Sequence, residues 1–69
     1  MRLRLEEHWR RHLARLPESG MGYQRVDVRF TDGREVIDTV VLNGEDVELP
    51  GDCRGATIQD IRLHPIAKR

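Results

Sequence analysis

Two turn dipeptides, Asp32-Gly33 and Asn43-Gly44, bracket residues 35–42 and constrain the fold more than any other feature of this chain. Both pairs tolerate the positive φ angles of tight hairpin turns. Each dipeptide therefore predicts a reversal of the chain, and the two reversals together predict a three-stranded antiparallel meander. Residues 35–42 form its central strand.

The strand before the first turn, 23–30, alternates between apolar and charged side chains, which predicts one buried face and one wet face. Its apolar face carries Val26, Val28 and Phe30. The central strand differs, because it has apolar side chains on both faces. They are Val36, Val40 and Leu42 on one side and Ile37 and Val41 on the other.

The loop at Gly33 sets the register of the first hairpin. A three-residue loop with Gly33 as a bulge is favoured over a two-residue loop, because it pairs Val28 with Val36 on the core face. The same register predicts an ion pair between Arg29 and Glu35 on the opposite face.

The remaining strands follow from the second turn and from the apolar spacing. The Asn-Gly turn is expected to set Val40 opposite Val47, so that a short strand at 45–49 adds Val47 and Leu49 to the core face. A last strand is predicted at 56–64. Its apolar spacing changes from even to odd positions, which indicates a bulge or a bend near Asp60.

Residues 3–16 predict an amphipathic helix that ends before Pro17. Its apolar stripe consists of Leu5, Trp9, His12, Leu13 and Leu16. The expected fold is α+β: an N-terminal amphipathic helix packed on a three- to four-stranded antiparallel meander, in one small domain over 1–69. The sheet is either open or curled into a small barrel.

The second face of the sheet is the candidate interaction surface, and it contains Tyr23, Ile37 and Val41. Either a curled sheet buries these side chains or another subunit covers them. A chain of 69 residues has a marginal core. Because its single cysteine, Cys53, cannot form an internal disulfide, self-association as a homodimer is the favoured remedy.

No cluster of residues predicts catalysis, a cofactor or a metal. His8 and His12 stand at i, i+4 but lack a third ligand, so we expect a histidine that packs beside Trp9 and donates to a backbone carbonyl. A pairing of Cys53 with His64 is conceivable, yet their spacing does not require it. The glycines at 20 and 22 could form a recognition loop.

We therefore expect a non-enzymatic protein-interaction module that self-associates and uses either the second sheet face or the free edge of an outer strand. The sequence lacks the apolar run of a signal peptide or membrane span, so the expected location is the cytoplasm, without a membrane partner.

The alternative is nucleic-acid binding through the basic N-terminal segment, where residues 1–16 have five arginines and two glutamates, a net charge of +3. The candidate contacts are Arg2, Arg4, Arg10, Arg11 and Arg15. Residues 17–60 carry a net charge of −6, which would repel a phosphate backbone. A helix before a twisted sheet with an Asp-Gly-Arg turn resembles the Sm-like RNA-binding barrels over residues 26–34. The second Sm motif has no counterpart here.

Overall fold

The computed structural model describes residues 1–65, which form one helix and a five-stranded antiparallel sheet. The elements are β1 (Arg2–Arg4), α1 (Glu7–Ala14), β2 (Tyr23–Phe30), β3 (Glu35–Leu42), β4 (Asp46–Glu48) and β5 (Ile58–Leu63). A short 3-10 turn, Gly51–Cys53, precedes β5. The strand order is β1-β4-β3-β2-β5, so the fold is α+β and β3 is the central strand.

The helix is shorter than the predicted 3–16, because the first residues form a strand. Arg2–Arg4 pairs antiparallel with β4, and the Leu5 N–H continues this pairing by donating to Glu45 O over 2.7 Å. Glu6 is still extended, and the helix begins at Glu7. The alternation of arginine and leucine at 2–5 is compatible with a strand and with one side of a helix. Pairing with β4 stabilises the strand conformation here.

The first hairpin has the predicted register. Val28 pairs with Val36 and Arg29 with Glu35, and the Arg29 guanidinium lies 3.4 Å from the Glu35 carboxylate. Gly33 has a φ of 94°, the left-handed conformation that a bulged three-residue loop requires.

A second bulge, at Asp38, changes which side of β3 faces the core. The register shifts between Val26 and Val28, and Asp38 has a φ of 59°. Because one extra residue enters β3 there, its alternation reverses beyond this point. Val41 consequently lies in the core at 0 % exposure, whereas the prediction had placed it on the outer face.

The same reversal corrects two further expectations. Val40 and Leu42, predicted for the core face, lie half-buried opposite Arg25 and Tyr23 on the outer face. Val47 pairs with Val41 rather than with Val40. Val47 and Leu49 nevertheless reach the core as expected.

The sheet is open and does not close into a barrel. Its two edges are β1 and β5, and α1 covers one face. The core contains Leu5, Leu13, Val26, Val28, Phe30, Val41, Val47, Leu49, Cys53 and Ile61, with Trp9 and Leu16 packed against it. In β5 the register shifts between the pairs Phe30–Ile58 and Arg29–Asp60, so the predicted bulge is present beside Asp60.

Candidate functional site

The outer edge of β5 is the longer of the two sheet edges. The His64 N–H donates to Arg25 O over 2.9 Å, which turns the main-chain groups of residue 64 towards β2. In an antiparallel ladder these directions alternate. The N–H and C=O groups of Ile61 and Leu63 therefore point away from the sheet, and among residues 1–65 no strand pairs with them.

A side chain from α1 meets this edge at one point. The His12 Nε2 lies 2.8 Å from Ile61 O. A carbonyl oxygen only accepts, so the Nε2 of His12 carries the proton and donates. The His12 ring packs edge-on against Trp9 with ring centroids 5.7 Å apart. The half-buried His12 thus has the role expected of the stripe histidine.

A groove of about 270 Å³ runs between α1 and β5. Its apolar lining comes from Leu16, Ile61 and Leu63, and His12 lies beside the Ile61 carbonyl. A strand placed along the β5 edge would therefore find hydrogen-bonding groups on the sheet and, beside them, the apolar side chains of Leu16 and Leu63.

Two charges flank Ile61 on β5. The Arg62 Nε donates to Asp60 Oδ2 over 2.8 Å. This hydrogen bond is the main cause that lowers the pKa of Asp60 below its ordinary value, and desolvation opposes it. Asp60 therefore stays ionised near neutral pH, and Asp60-Ile61-Arg62 presents an acid, an apolar residue and a base along the edge.

The outer face of the sheet carries ion pairs. Arg25 donates two hydrogen bonds to the Asp38 carboxylate, from Nε to Oδ1 at 2.7 Å and from Nη2 to Oδ2 at 2.5 Å. Hydrogen bonding by Arg25 is the main cause that lowers the pKa of Asp38. Asp27 Oδ1 accepts from the Asp38 N–H and lies 2.8 Å from His64 Nδ1. These contacts hold the bulge and the end of β5 in place.

The predicted interaction surface is only partly present on this outer face. Tyr23 is 37 % and Ile37 57 % exposed, but Val41 is in the core. Tyr23 also packs on the predicted recognition loop, where a Cβ at Gly20 would lie 2.3 Å from the Tyr23 ring. The glycine at position 20 is needed for this contact.

The five candidate arginines are divided between two elements. Arg2 and Arg4 lie on β1 and reach Glu48 at 3.1 Å and Glu45 at 4.0 Å. Arg11 on α1 pairs with Glu7 at 2.6 Å. Arg10 and Arg15 form no ion pair with the described residues. The basic helix expected for nucleic-acid binding is therefore shorter and partly neutralised.

The cysteine and histidines do not form a reactive group. Cys53 is buried, and its Sγ lies 3.9 Å from Asp52 Oδ1, while His64 contacts Asp27. The His8 ring lies against Trp9 at an interplanar angle of 43° with ring centroids 4.8 Å apart, while His12 turns to β5. Within residues 1–65 no three histidine, cysteine or acidic side chains converge as metal ligands.

A wider groove of about 630 Å³ lies at the end of α1, beside the β3–β4 turn. Two of its polar side chains, Gln24 and Glu18, already have structural partners. The Gln24 Nε2 donates to Leu13 O at 3.1 Å and to the next helix-end carbonyls. The Glu18 carboxylate accepts from the Gly22 N–H at 3.0 Å. These side chains hold the loop, which leaves the β5 edge as the better candidate site.

The sequence suggested the free edge of an outer strand as one interaction surface, but it did not identify β5 as that strand. The signal was the triplet at 60–62, but a triplet shows neither that its strand is outermost nor that a helix lies beside it. In comparisons with known proteins, no family model, curated protein or solved structure matches this chain. None of its described helices has the length and apolar character needed to cross a membrane.

Proposed function

We propose that this chain is a non-enzymatic protein-interaction module that binds an extended strand along the outer edge of β5. The observation that carries the proposal is the outward-facing main chain of Ile61 and Leu63 beside the apolar groove between α1 and β5. Strand addition at such an edge supplies main-chain hydrogen bonds, and the groove selects side chains.

The charges of β5 specify the strand that fits. In antiparallel pairing, a base is favoured opposite Asp60, an apolar residue opposite Ile61 and an acid opposite Arg62. The bound strand therefore reads acid, apolar, base in its own direction. The outer sheet face is less suited to this role, because ion pairs such as Arg25–Asp38 cover much of it.

Nucleic-acid binding, the alternative expectation, gains no comparable support. Three of the five arginines are paired with glutamates. The two others are Arg10 and Arg15. Trp9, the aromatic residue next to Arg10 in the chain, packs against the core and so offers no surface on which a base could stack.

A blocked peptide with the sequence Thr-Thr-Asp-Val-Arg-Thr-Thr tests the proposal. Added to the full chain, it should shift the NMR amide signals of Ile61 and Leu63 most, because their N–H groups point outward. The Asp60 and Arg62 amides point to β2 and should shift less. Equal binding by the same peptide with an N-methylated central valine, or shifts confined to the outer face, would contradict it.

A further inference from the structure

We infer that the strand bound by β5 is the β5 of a second copy of this chain, which gives a symmetric dimer with one continuous sheet. The inference rests on the strand-binding function proposed above. Its basis is that Asp60-Ile61-Arg62 itself reads acid, apolar, base, the order that the edge accepts.

The charges match when two β5 strands run antiparallel about Ile61. A two-fold axis then passes between the two Ile61 residues, and each Asp60 lies opposite Arg62 of the other copy. Because the main-chain groups of Ile61 point outward, the Ile61 pair is hydrogen-bonded and its neighbours occupy non-hydrogen-bonded positions. The Cα atoms are only about 4.5 Å apart there, which brings the opposite charges together.

The other edge of the sheet is unsuited to the same pairing. On β1, an antiparallel arrangement about Leu3 would place Arg2 opposite Arg4 of the second copy, and like charges in that position repel. Pairing β1 with β5 would oppose one like pair and one unlike pair. Only β5 with β5 satisfies both charges, which favours a closed dimer over an open fibre.

His12 limits the strength of this association. In the single chain the His12 Nε2 donates a hydrogen bond to Ile61 O. In the dimer the Ile61 N–H of the second copy would donate to the same carbonyl. Dimer formation exchanges the side-chain hydrogen bond for a main-chain one. We expect His12→Ala to strengthen association several-fold, with His8→Ala, an exposed change on the same helix, as the matched control.

Charge exchange on β5 tests the pairing. In Asp60→Arg both cross-strand pairs become base with base, and in Arg62→Asp both become acid with acid. Each variant alone should dimerise at least about tenfold more weakly than the wild type. An equimolar mixture should recover the affinity, because every cross-strand pair in the mixed dimer is again attractive. Sedimentation equilibrium measures all three samples.

Two controls are needed, because Asp60 pairs across the sheet with Arg29, and Arg62 with Asp27. A change at either position therefore also alters a cross-strand pair within its own chain. NMR amide spectra show whether each charge-exchanged variant is folded. The neutral variants Asp60→Asn and Arg62→Gln should also weaken the dimer, and mixing them should recover only part of the affinity, because one of the two cross-strand pairs in the mixed dimer is again Asp60 with Arg62.

Dimerisation that no change at 60 or 62 affects would overturn the inference. So would a wild type that stays monomeric at millimolar concentration. If the acid-apolar-base peptide still shifts Ile61 and Leu63 in that monomer, the strand-binding function stands and only the choice of partner falls. If neither the peptide nor a second copy binds, both proposals fall.

Discussion

At Asp38 the backbone of β3 takes a positive φ of 59°, in a region that L-residues with a side chain rarely occupy. Two contacts hold it there: the Asp38 N–H donates to Asp27 Oδ1, and Arg25 binds the carboxylate from the side. The bulge moves Val41 into the core and Val40 to the outer face. One residue therefore decides the composition of both faces of the central strand.

The reversal at Asp38 predicts unequal costs for two neighbouring truncations. Val41→Ala should lower the free energy of unfolding by about 2 kcal/mol, because it removes buried methyl groups and leaves a cavity. Val40→Ala, the matched control on the outer face, should cost clearly less. Urea denaturation of both variants measures the difference. Equal losses would mean that the alternation does not reverse.

Two substitutions separate the contribution of the Asp38 backbone conformation to stability from that of its ion pair. Asp38→Ala and Asp38→Gly both lose the contact with Arg25, but only glycine adopts the positive φ without strain. The glycine variant should therefore have the higher urea midpoint of the two. A higher midpoint for the alanine variant would show that Asp38 does not need a left-handed conformation.

Acid should weaken the fold through the same residue. The pKa of Asp38 is lower in the folded chain than its ordinary value of 3.8, chiefly through hydrogen bonds from Arg25. A carboxyl with a lowered folded pKa adds stability above its unfolded pKa, and this stability is lost as the pH falls through the folded value. Asp38→Asn lacks the titrating group, so its stability should fall less steeply below about pH 4. Parallel acid curves would contradict this assignment.

Among the elements, α1 depends on a side chain from the sheet. Leu13 O accepts from the Leu16 N–H at the end of the helix, and the Nε2 of the buried Gln24 of β2 also lies within hydrogen-bond distance of Leu13 O and of the Leu16 and Pro17 carbonyls just beyond it. The contact fastens the end of α1 above the core and so fixes one wall of the groove beside β5.

Gln24→Ala should consequently cost roughly 1 to 3 kcal/mol of stability, because the part-buried Leu16 and Pro17 carbonyls lose their donor and a buried side chain is removed. Gln59→Ala, an exposed change in β5, is the control and should have little effect. Thermal unfolding followed by circular dichroism compares them. A Gln24 variant as stable as the wild type would show that water satisfies the helix end.

Local patterns predicted β2, β3 and the first register, because turn chemistry and strict alternation act over neighbouring residues. They failed at residues 3–5, where the helical and strand periods both fit and a distant partner, β4, decides. They also failed beyond Asp38, because nothing in the residue types at 36–42 marks which position bulges. The sequence suggested a free strand edge but could not identify it as that of β5, because strand order depends on pairings across the whole chain.

At the scale of the whole molecule, the open sheet has two edges, β1 and β5, and these edges differ in their charges. β1 exposes Arg2 and Arg4, whose like charges oppose self-pairing. β5 carries unlike charges about Ile61, and within residues 1–65 the His12 side chain bonds to its outward-facing main chain. A core of this size gains from any partner that binds only the folded chain.

Association through β5 should make thermal stability depend on concentration. The melting temperature of the wild type should rise with protein concentration, since mass action favours the folded dimer. The melting temperature of Asp60→Arg should change little over the same range. Scanning calorimetry across a concentration series measures both. A wild-type melting temperature that is independent of concentration would contradict association of folded chains.

An isotope-filtered NOE measurement on a mixture of labelled and unlabelled wild-type chains tests the central claim most directly, because it detects only contacts between copies. Pairing of β5 about Ile61 predicts a strong cross-peak between the Hα of Asp60 and the Hα of Arg62 of the second copy. Intermolecular cross-peaks that arise instead from Tyr23 and Ile37 on the outer face, or from β1, would contradict it.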